Sequence, residues 1–160
     1  MSKKFFIGLF SLCVILAVSS TASARFHPYF VFGLKPEITT SIHSYDDQMI
    51  KAAQIAESNA QKRSQRRCWR AVKNAMLEAN VLEERPTTRY AKQAGDELEQ
   101  KFGFTKIDVS DPFAAPIGSV LVYGGRGAGH VEIRTADGFV SDHVSAHPSR
   151  RPLIGVYVRV

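Results

Sequence analysis

The sequence predicts an α+β domain with its helices first and an antiparallel sheet after them, and two observations carry the prediction. Between Tyr45 and Lys101 apolar residues recur at three- and four-residue steps, whereas from Lys106 onward short apolar segments alternate with Asp-Pro, Gly-Gly and Asp-Gly turn signals. Helical runs followed by strand runs segregate into a helical layer packed on an antiparallel sheet.

The chain of 160 residues opens with Lys3 and Lys4, an apolar core from Phe5 to Val18, and the small-residue triplet Ala22-Ser23-Ala24. This is the pattern of a secretory signal peptide, residues 1–24, and it implies a periplasmic or secreted product. The apolar stretch is shorter than the roughly 20 residues of a spanning helix, so no stable membrane insertion is expected after cleavage. Residues 25–160 suffice for one ordinary domain, expected to be monomeric. Losing Lys3 and Lys4 lowers the formal charge of +6 by two and leaves a basic surface suited to an anionic polymer.

Residues 25–45 hold five aromatics, Pro28 and Pro36 without a sustained period, and read as a leader to a domain spanning 46–160. From Tyr45 to Arg67, Met49, Ile50, Ala53, Ile55 and Ala56 predict an amphipathic helix that ends in the basic stretch Lys62–Arg67. Such a run is more commonly a solvated loop or helix end than a nucleic-acid patch, so no nucleic-acid partner is expected. Trp69, Val72, Ala75, Met76 and Ala79 share a face of a second helix, from Cys68 to about Leu82. Arg85-Pro86-Thr87-Thr88 is a break, and a third helix from Arg89 to Lys101 turns Ala91, Ala94, Leu98 and Phe102 inward before Gly103 stops it. Five strands follow in a meander: 106–109, 119–123, 130–134, 139–143 and 153–160.

Cleavage of the signal removes Cys13 and leaves Cys68 as an unpaired thiol in an exported chain. Its predicted place at the first turn of a helix matters, because unpaired N–H groups and the positive end of the dipole favour the thiolate, the nucleophilic form. His130 follows the glycine-rich Gly124–Gly129 and opens a strand, which makes it the expected base. A phosphate-binding loop would need a following Lys-Ser/Thr and a helix, and neither is present.

A third group should orient the imidazole. A three-residue loop Ala136-Asp137-Gly138 would pair Thr135 with Phe139 and set Glu132 opposite Asp142, with His130 on the same face. That parity favours Asp142, with Glu132 second. A loop of another length would instead bring His143 opposite His130.

Cys68-Trp69 opening a helix, Ala115 to Tyr123 with a Pro-Ile-Gly turn before a strand, and Gly129-His130-Val131-Glu132-Ile133 together resemble the papain-like amidohydrolases of the NlpC/P60 and CHAP groups. The resemblance runs from about Ile50 to Val160. It implies a papain-like fold and a cell-wall peptidase or amidase acting on peptidoglycan or muropeptides without a cofactor, with Cys68 as nucleophile and His130 as base. In NlpC/P60 proteins a polar residue on the next strand completes the site; Asp142 matches that position, which more commonly carries His, Asn or Gln. Two other functions compete. A metal hydrolase using Cys68, His130, His143 and His147 lacks the His-Glu-x-x-His pattern and the helix its four-residue histidine step would need. A non-catalytic wall-binding or inhibitor module would carry a degenerate site. A toxin aimed at competitors would share the same chemistry.

Overall fold

The computed structural model describes residues 46–159, so the expected signal peptide (1–24) and the whole expected leader (25–45) lie outside the described residues. The domain is α+β, with three α-helices and a six-stranded antiparallel sheet among those residues.

Helix α1 spans Asp47–Ser58, with Asp46 as N-cap accepting from the Gln48 N–H at 2.8 Å. It buries Met49, Ala52, Ala53 and Ala56. It ends well before Arg67, and the basic stretch beyond it is an exposed irregular loop. Helix α2, Cys68–Glu78, buries Trp69, Val72, Ala75 and Met76, the face its periodicity predicts. The third helical segment begins as a 3-10 turn at Ala91–Gln93 and continues as α3, Ala94–Phe102. Gly103 closes it in the left-handed conformation (φ 70°), which a residue without a Cβ adopts at no steric cost.

The break between α2 and α3 is tightly held. Glu97 accepts hydrogen bonds from the N–H and hydroxyl groups of both Thr87 and Thr88, and the buried Lys73 ammonium donates to the Pro86 and Thr88 carbonyls at 2.7 Å. Burial pushes the Glu97 carboxyl up, but these four donors outweigh it and hold the group down to about 2. The Trp69 indole N–H reaches the Thr88 hydroxyl at 3.1 Å, so this brace fixes the first turn of α2.

The strands are β1 (Phe104–Ile107), β2 (Val120–Tyr123), β3 (His130–Arg134), β4 (Phe139–Val140), β5 (Val144–Ser145) and β6 (Leu153–Arg159). Their order is β1-β6-β2-β3-β4-β5, so the sheet is not the simple meander predicted: β6 inserts between β1 and β2. The fourth predicted strand is also two strands. The Ser141 N–H donates to the His143 carbonyl at 3.0 Å, a tight turn that folds β5 back on β4. Alternation divides the sheet's side chains. Val120, Val122, Val131, Ile133 and Val140 pack with the helices, while Leu121, Tyr123, Phe139 and Val156 form a second cluster on the other face.

Candidate active site

Cys68 stands at an uncapped helix start. Its N-cap is Arg67 (φ −123°, ψ 27°), and no side chain takes up the first-turn N–H groups. Those donors and the helix dipole therefore remain for an anion. The thiol is half-buried and free. Burial pushes it up, but the hydrogen bond and charge of His130, with the N–H groups of Val131 and Trp69, leave it below its ordinary value.

The position of His130 depends on the glycine before it. Gly129 has φ 76°, and a Cβ there would fall 2.5 Å from the Tyr123 carbonyl oxygen and 2.9 Å from the Lys92 nitrogen. Both are backbone atoms that cannot swing aside, so only glycine lets the loop pass between β2 and the 3-10 turn into β3. The Lys92 N–H ties the same loop by donating to the Ala128 carbonyl at 3.0 Å.

His130 Nε2 lies 3.2 Å from Glu132 Oε2, which leaves Nδ1 as the ring nitrogen for Cys68. Burial pulls the imidazole down, but hydrogen bonds and charge from Cys68 and Glu132 push it up to about 9. A thiol drawn down beside an imidazole drawn up is the electrostatic condition for a thiolate–imidazolium pair at neutral pH. Glu132 is itself fixed. Only 3% exposed, it accepts through Oε1 from the Tyr123 hydroxyl at 2.7 Å and from the Ser149 N–H at 3.2 Å.

The structure thus gathers Cys68, His130 and Glu132, and places Asp142 elsewhere. The hairpin register explains the difference. Arg134 pairs with Phe139 and Ile133 with Val140, and Thr135 N–H donates to Gly138 O at 2.9 Å, so the loop is the four residues 135–138 rather than three. A one-residue slip exchanges the faces, which sends Asp142 to the helix side. There its carboxylate accepts from the Gln65 and Arg67 N–H groups at 2.8 Å each and lies 3.1 Å from His143 Nδ1. Burial pushes the Asp142 carboxyl up, but the Arg67 N–H, His143 and the Gln65 N–H bring it below its ordinary value. His143 is turned to Asp142, and His147 lies in the loop beyond β5, its N–H bonded to Ser145 Oγ. Among the described residues no three His, Cys, Asp or Glu side chains stand close enough to hold a metal ion.

Tyr123 and Ser149 are the members of this network that sequence reasoning misses. Tyr123 sits in an apolar strand, where an aromatic reads as core, although its cross-strand pairing with His130 puts it beside the site.

No family model and no curated protein matches the chain. Among solved structures, a second crystal structure of the type VI effector–immunity complex Tae3–Tai3 from Ralstonia pickettii matches at 29% identity and TM-score 0.49 over 59% of this chain and 80% of its own. The described domain is similar to a chain of the native form of that complex, at 26% identity and TM-score 0.56, over 70% of this chain and 98% of that one.

Proposed function

We propose that the chain is an exported cysteine hydrolase of the papain-like, NlpC/P60 or CHAP kind, cleaving amide bonds in peptidoglycan. The observation that carries the reading is Cys68 at an uncapped helix start, facing a His130 whose far nitrogen is held by buried Glu132. The Cys68 thiolate attacks a peptide carbonyl carbon, forming a C–S bond, while its own backbone N–H donates to the oxyanion. His130 gives its proton to the leaving amine as the C–N bond breaks. It then takes a proton from the water that attacks the thioester, which releases the acid and restores thiolate and imidazolium. Glu132 holds the ring, the role that hairpin parity gave to Asp142. No cofactor enters these steps.

The cell-wall target is supported by the likeness to a chain of an effector–immunity complex, by the basic charge and by the expected signal peptide. The same likeness favours the toxin reading, in which the partner is an inhibitory immunity protein. The expected signal peptide, residues 1–24, would however carry the chain into its producer's own periplasm, where wall remodelling is the natural task. Wild-type protein should release soluble fragments from purified peptidoglycan, and Cys68→Ala should release at least about a thousandfold less while remaining folded. Mass spectrometry of the fragments identifies the bond. Digestion by Cys68→Ala at the wild-type rate would exclude the mechanism. Toxicity of the wild type, but not of Cys68→Ala, on production in a Gram-negative periplasm separates toxin from housekeeping enzyme.

A further inference from the structure

The loop that delivers Cys68 to its place, residues 59–67, is polar and exposed along most of its length and belongs to no helix or strand. Such a segment has no packing of its own to define where the next helix begins. Arg66 within it holds a left-handed backbone (φ 60°), a conformation that a long side chain adopts only when its surroundings impose it.

What imposes it is Asp142, more than seventy positions away in sequence and 5% exposed. One oxygen, Oδ2, accepts from the N–H groups on both sides of Arg66, those of Gln65 and Arg67, at 2.8 Å each. The Ser64 hydroxyl donates to Oδ1 at 3.3 Å, and its oxygen accepts from the Arg66 N–H at 3.2 Å. The Gln61 N–H donates to the Asp142 carbonyl at 2.9 Å, which ties the start of the loop to the same residue. All of these donors precede the helix, so the grip leaves the Cys68 and Trp69 N–H groups for sulfur and oxyanion. The ionisable groups around Asp142 are His143, at 3.1 Å, and Arg67, Arg70 and Glu78 on the adjoining groove.

We propose that Asp142 is a positioning residue for the nucleophile: by clamping Ser64–Arg67 it sets the N-terminus of α2 and holds Cys68 against His130. The proposal rests on Cys68 being the nucleophile, and the test keeps the two ideas apart. The rate of thiol alkylation is followed against pH for wild type and Asp142→Asn, with peptidoglycan hydrolysis measured alongside. Removing a carboxylate by charge alone favours a nearby thiolate and would lower the pH midpoint of alkylation. Loss of position would raise it.

The expected result for Asp142→Asn is a midpoint about one unit higher, with kcat down about tenfold and KM little changed. An unchanged or lowered midpoint overturns the proposal. Should Asp142→Asn fail to fold, Ser64→Ala removes one strand of the same grip. Its midpoint should move upward by a smaller amount, and no movement there overturns the proposal equally. A wild-type Cys68 with the reactivity of an ordinary exposed thiol would instead remove the nucleophile on which the proposal rests.

Discussion

Glu132 and Asp142 look alike in burial and in having a histidine neighbour. They are 3% and 5% exposed, and their carboxylates lie 3.2 and 3.1 Å from the ring nitrogens of His130 and His143. What separates them is the next contact outward. Beside Glu132 stands His130, whose charge draws the Cys68 thiol down; beside Asp142 stand the backbone N–H groups of the loop that carries Cys68. Burial and a histidine neighbour therefore do not identify an orienting carboxylate. The chain of partners from carboxylate to reacting atom does.

Substitution of the two carboxylates is the strongest way to break this comparison. Glu132→Gln should lower kcat by about 10²- to 10⁴-fold, since the charge that supports the imidazolium and fixes its ring is lost. Asp142→Asn should cost about tenfold through position alone. Equal losses, or a larger loss at Asp142, would return Asp142 to the role of third member.

A smaller effect lies in the pH dependence of stability. His130 is raised in the folded protein from 6.5 to about 9, so its contribution is complete below the unfolded value and is lost as pH rises through about 9. Melting temperatures followed from neutral to alkaline pH should show this decline. In Cys68→Ala the nearest source of the upward pressure is gone, and the alkaline decline should begin closer to neutral. The same onset in both proteins would mean that Glu132 alone holds the proton.

The smallest effect is expected from Tyr123→Phe, which removes one of two donors to Glu132 Oε1 and leaves the Ser149 N–H. Activity should fall a few-fold and stability by about 1 kcal/mol, read from kcat and from urea melts. No change in kcat would place Tyr123 in the core alone.

The parts of this molecule that are legible in sequence are those with local causes. Helical periodicity locates α2 and its buried face, and the pair Cys68 and His130 stands out because each opens an element, one beside free helix donors and one beside a glycine with no room for a side chain. The residues that sequence reading misplaces depend on counts and on distant partners. One extra residue in the loop 135–138 exchanges the faces of the hairpin and decides between Glu132 and Asp142, and a Thr-Ala-Asp-Gly tetrapeptide does not announce where its ladder ends. The insertion of β6 between β1 and β2 leaves no mark on any single segment, because all three strands read as ordinary buried strands.

That insertion also sets an order of events in the making of the protein. β1 pairs along its whole length with β6, through Phe104↔Arg159 to Ile107↔Val156, and β2 pairs with the other edge of β6. Until residues 153–159 have emerged, the histidine strand and the β1 edge belong to separate fragments with no seam between them. A chain emerging N-terminus first thus holds its helices and the β2–β3 hairpin before β1 can join them in one sheet, and the sheet closes only when the last strand is laid in.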